Sequence, residues 1–253
     1  MGSALTVVIP TLNEEHYLPR LLDSLIRQKY SGELEVLVVD GGSSDSTVAR
    51  AEAYVPRLDV RILRAPRADI GAQRNLGVRH ASHDLLLFLD ADVRLPARAL
   101  AATVECVRGR NKFVLAVPHR TASLTLADIV LGAVLYFFVL LARLMRIPVT
   151  NGDFLLTTKS VHYSIGGFAE GAVLGEDTDY GIRAVKSGAS YIFCFSAFVI
   201  ASARRLQKMS FWTIGRIWVS ASFHVLRHGP VYDRSRWEYP FGDYKAPEGE
   251  VRF

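Results

Sequence analysis

Leu34-Glu-Val-Leu-Val-Val-Asp40-Gly-Gly-Ser-Ser-Asp-Ser46 contains the two halves of a βα unit. The apolar run through residue 39 is a strand pattern, and Asp40 ends it. Residues 40–46 form a turn and N-cap cluster, because short oxygen-bearing side chains satisfy the first free N–H groups of a helix. That cluster predicts a helix over residues 46–54. The same alternation recurs on both sides. Residues 5–9 read as a buried strand, and residues 14–28 as a helix with Leu18, Leu21, Leu22 and Leu25 on one face. Residues 60–63 read as a strand, 70–81 as a helix, and 84–89 as a fourth strand ending at Asp90-Ala91-Asp92. Further on, residues 112–117, 154–158 and 191–200 are strand-like, and residues 176–187 are helical. Strands alternating with helices build βαβ units, so the expected class is α/β with a mostly parallel sheet flanked by helices. Ligands of such sheets bind at the carboxyl ends of the strands. Thr11, Asn13, Asp40, Asp90 and Asp92 all fall there.

Composition bounds the possibilities. The 253 residues carry 30 Lys+Arg against 25 Asp+Glu, a formal charge of +5, and half are apolar. That suits one large domain, or one with a small addition, and excludes intrinsic disorder and a disulfide-stapled mini-fold. Cys106 and Cys194 are too few for a disulfide framework and fit a reducing cytoplasm. The basic excess suits an anionic partner such as a nucleotide, a nucleic acid or an acidic lipid surface. Mean hydropathy is +0.18, which points to a membrane. No basic leader or cleavage site precedes the run at residues 5–9, so no targeting signal is expected.

Three clusters carry chemistry. In Leu85-Leu-Leu-Phe-Leu-Asp90-Ala91-Asp92, two carboxylates just past a buried strand can both reach a hard divalent cation, Mg²⁺ or Mn²⁺. The alternative is a turn whose aspartates cap a helix starting near Pro96. In Gly175-Glu176-Asp177-Thr-Asp179, carboxylates at a helix start are either a general base or ordinary first-turn charges. In Ala203-Arg204-Arg205, paired guanidiniums either hold a diphosphate or form a basic edge. The histidines show no zinc-binding arrangement; His224 and His228 lack a third ligand. Gly41-Gly42 is not a dinucleotide fingerprint.

The order of motifs is more specific than any one of them. Pro10-Thr11-Leu-Asn13-Glu14, Asp40 to Asp45, Gly71-Ala-Gln-Arg74-Asn75-Leu-Gly77, Asp90-Ala91-Asp92 and Glu176-Asp177 follow one another over about residues 5–205. This resembles the family 2 glycosyltransferases of the GT-A fold, including dolichyl-phosphate-sugar-synthase-like and minimal cellulose-synthase-like, membrane-associated members. Leu206 stands where a processive member would carry Trp, so polymer synthesis is not expected. The resemblance implies that Pro10, Thr11, Asn13, Glu14 and Asp40 line the nucleotide pocket, with Asp45 supporting the turn. It places Arg74, Asn75, Asp90, Ala91, Arg204 and Arg205 at the nucleotide sugar. Asp92, with Asp90, would hold Mg²⁺ or Mn²⁺; Asp177 would be the catalytic base, with Glu176 as the alternative. Gly152 and Phe154 would position the acceptor.

The second half holds an apolar stretch from 121 to 142 whose only charge is Asp128. A single crossing there would put Asp90 and Asp92 on one side of a bilayer and Glu176, Asp177 and Arg205 on the other, so a simple span is rejected if the glycosyltransferase reading holds. An in-plane membrane helix, a subunit interface in a homo-oligomer, or a core helix remain. Arg143 and Arg146 at its end, and Tyr136, Phe137 and Phe138 within it, favour the membrane surface. A second helix is expected over 211–226, with Phe211, Ile214, Trp218, Ala221 and Val225 on one side. The expected organisation is a nucleotide-sugar half at 1–120, an apolar helix at 121–148, an acceptor and base half at 149–206, and an aromatic helix with an irregular tail at 207–253. The expected activity is inverting transfer of a hexose from a GDP-mannose or UDP-glucose type donor to a lipid-linked or polyprenyl-phosphate acceptor. The expected place is the cytoplasmic face of the membrane, and no nucleic acid is expected as a partner. A soluble acceptor, or nucleotidyl transfer on a similar fold, is the rival reading.

Overall fold

A computed structural model describes residues 2–121, 148, 150, 152–202 and 211–233. The expected apolar helix at 121–148, the Arg204-Arg205 pair and the tail beyond 233 lie largely or wholly outside these residues.

Strand β1 (Leu5–Thr11) is buried throughout, as a continuous apolar run requires, and pairs in parallel with β2 (Leu34–Asp40) and β4 (Leu85–Leu89). Strand β3 (Asp59–Arg64) continues the sheet beyond β2. Four helices pack around these strands: α1 (Leu18–Ile26), α2 (Thr47–Glu52), α3 (Ile70–His80) and α4 (Ala99–Cys106). Leu18, Leu21, Leu22 and Leu25 of α1 are buried with Leu5, Val7 and Ile9 in one core layer. Val8 faces the opposite layer with Leu37, Leu86 and Phe88. Helix α1 begins at Leu18 instead of residue 14, because Pro19 has no N–H and is suited to a first helical turn.

Six strands of the seven-stranded sheet run one way. In the order β3-β2-β1-β4-β8-β6-β9, only β8 (Phe154–Thr158) is reversed, lying antiparallel between β4 and β6 (Phe113–Ala116). Strands from both the first half and the second half of the chain therefore share one sheet. The apolar run at 191–200 divides: β9 (Ser190–Phe193) closes the large sheet, whereas β10 (Val199–Ala201) joins a small one between β5 (Val93–Arg94) and β7 (His119–Thr121). An unbroken apolar run carries no mark of where a chain changes sheets. Cys194 falls in that break and forms a disulfide with Cys106 at the end of α4, with a Cα–Cα distance of 6.3 Å. Two cysteines make no framework, but they do make this one cross-link.

Helix α5 (Lys159–Ser164) follows β8, and α6 (Glu176–Lys186) opens with the acidic cluster. Gly175 caps α6 at φ 80°, and a Cβ there would lie 2.4 Å from Val225 Cγ2 of helix α7 (Phe211–His228). The left-handed backbone and the close approach of α7 both demand glycine. A bridge between Leu174 and Val231 fastens the chain after α7 to the same spot. Among the described residues, no helix is long and apolar enough to cross a membrane.

Candidate active site

The ends of β1 and β2 form one interlocked turn. Thr11 O accepts Gly41 N at 2.9 Å and Gln73 Nε2 at 3.0 Å, and Gln73 Nε2 also reaches Val39 O at 2.7 Å. The Asp40 carboxylate accepts the N–H groups of Gly42 (3.0 Å) and Ser43 (3.1 Å), as Asp does when it stabilises its own turn. Asn13 takes φ 55°, which Asn tolerates because its short amide bonds locally. Its Oδ1 accepts Ser44 N at 2.8 Å, and its own N–H donates to Ser43 Oγ at 2.9 Å. Glu14 N donates to Thr47 Oγ1 at 2.7 Å, while Asp45 Oδ1 accepts Thr47 N at 2.9 Å. Thr11, Asn13, Glu14 and Asp40 thus share one rim.

Beside this rim lies a charge cluster built on Arg74. Helix α3 carries Arg74 inward until its side chain is 1% exposed. One terminal nitrogen, Nη1, donates to Glu176 Oε1 at 3.0 Å. The other, Nη2, donates to Asp90 Oδ1 at 2.9 Å and to Gly152 O at 3.0 Å. The fork geometry of arginine is what permits one side chain to hold residues from α3, the end of β4 and the start of α6 together. Nε has no hydrogen-bond partner among the described residues. Gly152 presses so closely that a Cβ would lie 2.6 Å from Nη2.

Asp177 adjoins this group. Its Oδ2 accepts Gly152 N at 2.7 Å and its Oδ1 accepts Thr178 N at 2.6 Å, while its main-chain carbonyl accepts Thr150 Oγ1 at 2.6 Å. Burial pushes the Glu176 carboxyl up to about 7; the neighbouring Asp177 charge adds to the rise and Arg74 opposes it. Burial also raises Asp177 above the usual carboxylate range, against the pull of Arg74 and two backbone N–H groups. Burial tends to lower the Arg74 pKa, but Asp90, Glu176 and Asp177 outweigh it and hold the guanidinium charged. Three carboxylates around one guanidinium leave an excess of negative charge, an environment suited to a cation and a proton acceptor.

Asp92 is buried nearby in sequence, and Ser202 fixes it from the end of β10: Ser202 Oγ donates to its Oδ2 at 2.9 Å and Ser202 N to its carbonyl at 3.0 Å. Neither aspartate caps α4, whose N-cap is Arg98. The donor set fits Mg²⁺ or Mn²⁺, which bind through one or two carboxylates with substrate phosphates completing the shell. Among the described residues no group of three or more His, Cys, Asp or Glu could form an all-protein cage.

Phe154, expected beside the acceptor, is placed in the sheet. It pairs with Leu89 at the start of β8 and its side chain joins the apolar core, 1% exposed, so it offers no surface to a ligand. Gln73, Thr150, Ser202 and Phe168 are contributors that sequence reading missed. Gln73 lies inside the quoted glycine-flanked motif, and a buried glutamine beside Arg74 could have been suspected. Nothing local distinguishes Thr150 or Ser202.

Residues 6–157, more than half the chain, match the model for "Glycosyl transferase family 2". A PGL/p-HBAD biosynthesis glycosyltransferase of Mycobacterium bovis is 38% identical over 109 residues, covering 42% of each chain. A poly(ribitol-phosphate) beta-N-acetylglucosaminyltransferase, TarS, of Staphylococcus aureus is 36% identical over 90 residues, 34% of this chain and 16% of that relative. The aligned stretch is therefore less than half the length of either relative. Among solved structures, the mannosyltransferase PcManGT from Pyrobaculum calidifontis, in complex with GDP-Man and Mn2+, superposes with a TM-score of 0.72 at 21% identity. That match covers 91% of this chain and 66% of PcManGT. S. aureus TarS 1-349 in complex with UDP-GlcNAc gives 0.64 at 17% identity, covering 92% of this chain and 74% of TarS 1-349. These structural likenesses show a shared fold.

Proposed function

The chain belongs to glycosyl transferase family 2, and from that premise we propose that it moves a hexose, with inversion, from a nucleotide-diphospho sugar to a hydroxyl of a lipid-linked acceptor. The observation that carries this is the contact of one buried guanidinium, Arg74, with both Asp90 and Glu176, with Asp177 at its side. It brings the acidic groups of two distant segments to one place at the carboxyl edge of the sheet.

The chemistry follows from the residues. A sugar nucleotide reacts through an oxocarbenium-like state while negative charge grows on the departing diphosphate. Asp92, with Asp90, would hold Mg²⁺ or Mn²⁺, which when bound offsets that growing charge. The turn formed by Thr11, Asn13 and Asp40 would receive the nucleotide, and Arg204 with Arg205 would meet the diphosphate. Asp177 takes the proton of the attacking hydroxyl, its carboxylate oriented by Gly152 N and Thr178 N. Glu176 is the alternative base. A buried carboxylate with a raised pKa serves an alcohol, whose own pKa lies far above neutrality, and is redundant for a phosphate oxygen already ionised. A hydroxyl acceptor is therefore favoured over a polyprenyl phosphate.

The lipid-linked acceptor rests on two supports. The sequence at 121–142 is almost uncharged. Helix α7, packed on the helix that carries Glu176 and Asp177, exposes Phe223 and Leu226 beside Arg227 and His228, a combination suited to an anionic bilayer surface. Release of nucleoside diphosphate from UDP-glucose or GDP-mannose, with Mn²⁺ and either a lipid-linked sugar in vesicles or a soluble oligosaccharide, tests the reading. Failure with every sugar nucleotide sinks it, transfer only to the soluble oligosaccharide removes the lipid acceptor, and a product with retained anomeric configuration removes the single-base mechanism.

A further inference from the structure

We propose that Asn75 is a positioning residue: through the main chain of Phe168 it sets the buried Arg74 guanidinium against Asp90 and Glu176. The proposal rests on the glycosyl-transfer reading for its kinetic consequence and on geometry for everything else.

Asn75 follows Arg74 in α3, yet its amide is turned to a different partner. Its Oδ1 accepts Phe168 N at 2.8 Å, and its Nδ2 donates to Phe168 O at 3.0 Å and to Glu170 Oε1 at 3.0 Å. The main-chain N–H of Phe168 must face an acceptor and its carbonyl a donor, so the orientation of the amide is determined. Both amide hydrogens are engaged within the protein. A nucleotide contact, the role the family resemblance gives Asn75, would have to displace one of these bonds.

The segment it holds lies outside the helices and strands; its near end is also tied by Arg183, whose Nη1 donates to Ile165 O at 2.6 Å and Gly167 O at 2.7 Å, so the Asn75 bonds are what fix Phe168 itself. Gly166, Gly167 and Gly171 all take positive φ, and no strand ladder includes Phe168. A Cβ on Gly167 would lie 2.6 Å from Asn75 Oδ1, so the loop is drawn tightly against the amide. Gly171 N donates to Asp69 Oδ2 at 2.7 Å, which fastens the far end to the N-terminus of the same helix.

Phe168 then acts on the charge cluster. Its ring centroid lies 5.0 Å from the Arg74 guanidinium carbon, within cation–π range, and the ring also makes an edge-to-face pair with Phe88, a stack on Tyr180 and a tilted contact with His162. Because Arg74 Nε is without a partner among the described residues, only the terminal nitrogens and this aromatic face define how the fork is held. A loop displaced by an ångström would tilt the guanidinium and with it both carboxylates.

The test compares Asn75→Ala, Phe168→Leu and the double variant with the wild-type chain. Expected are a kcat about 10- to 100-fold lower, a Kd for UDP or GDP by calorimetry within about two-fold of wild type, and a double variant no worse than the poorer single one, as for two links of one chain. Hydrogen exchange at the Phe168 amide should lose its protection in Asn75→Ala. If Asn75→Ala does not fold, Phe168→Leu alone must give the loss in kcat without loss of nucleotide affinity. A Kd weakened tenfold with kcat preserved would make Asn75 a nucleotide ligand and overturn the proposal. So would additive losses, or an unchanged kcat in a variant whose Phe168 amide exchanges freely. A wild-type chain silent with every sugar nucleotide would strike the glycosyl-transfer reading instead. The clamp is then read from the Arg74 Nε–H resonance: a shift in Asn75→Ala upholds it and an unshifted signal refutes it.

Discussion

Arg74 Nη1 lies 3.0 Å from Glu176 Oε1, although the two residues are 102 positions apart in the chain. The same guanidinium holds Asp90, so a single cation joins the strand that ends in the paired aspartates to the helix that begins with the paired acids. Removing it would leave partly buried carboxylates facing one another without compensation.

Lysine in its place keeps the charge and loses the fork. Arg74→Lys should therefore lose stability on the order of 1–3 kcal/mol, because one ammonium nitrogen cannot stand at the positions of both Nη1 and Nη2 and leaves an acceptor among Asp90, Glu176 and Gly152 unmet. Thermal unfolding followed by circular dichroism measures this. An unchanged melting point would mean the cluster is not held by the guanidinium.

Asp177→Asn should leave nucleotide affinity largely intact and lower turnover by roughly two to four decades, as expected on removal of a general base. Calorimetry with UDP or GDP and a diphosphate-release assay read the two quantities separately. Full turnover in the variant would transfer the role to Glu176.

The Glu176 carboxyl gives the metal-free protein a definite pH dependence. Its folded-state pKa of about 7 lies above its unfolded value of 4.5, so between these limits the folded chain keeps a proton that the unfolded chain has released. Stability from this group is full below the unfolded value and is lost as pH rises through the folded one. Melting temperatures taken from pH 4.5 to 7.5 should fall in the wild type relative to Glu176→Gln, which carries no such proton. Parallel curves would contradict the assignment.

Gly152→Ala should lower activity more than alanine in an open turn would. Its Cβ would meet Arg74 Nη2 at 2.6 Å, so the guanidinium or the 152 peptide must move, and that peptide also donates to Asp177. Gly109→Ala, at a positive-φ turn with open space around it, separates backbone strain from this displacement. Equal loss of activity in the two variants would argue against it.

The Cys106–Cys194 bond closes a loop with a sequence separation of 88. A loop of that size is worth about 4.6 kcal/mol in the chain-entropy model. Alkylation under non-reducing conditions should find no free thiol, and reductant should lower the melting temperature. Two reactive thiols in the untreated native protein would refute the pairing.

Local pattern revealed what local forces decide. The buried runs at 5–9, 34–39 and 84–89 and the turn residues behind them mark strands and their carboxyl ends, since alternation and capping are written within a few residues. Glycosyl transfer as the family reading also came from motif order. The sequence did not disclose that Phe154 points into the core, because a one-residue choice of strand face depends on its neighbours in the sheet. Nor did it disclose that residues 191–200 divide between two sheets, or that Asn75 turns toward Phe168.

Sequence by itself determined the α/β class, because strand and helix periods and turn chemistry are properties of short segments, and the order of its motifs carried the resemblance to the family. Only the tertiary structure decided that Arg74 is the group on which Asp90 and Glu176 converge and that Gly152 joins it to Asp177. Which side chains meet across a hundred residues is set by how the sheet is ordered and how closely helices approach it, and no short segment contains that information.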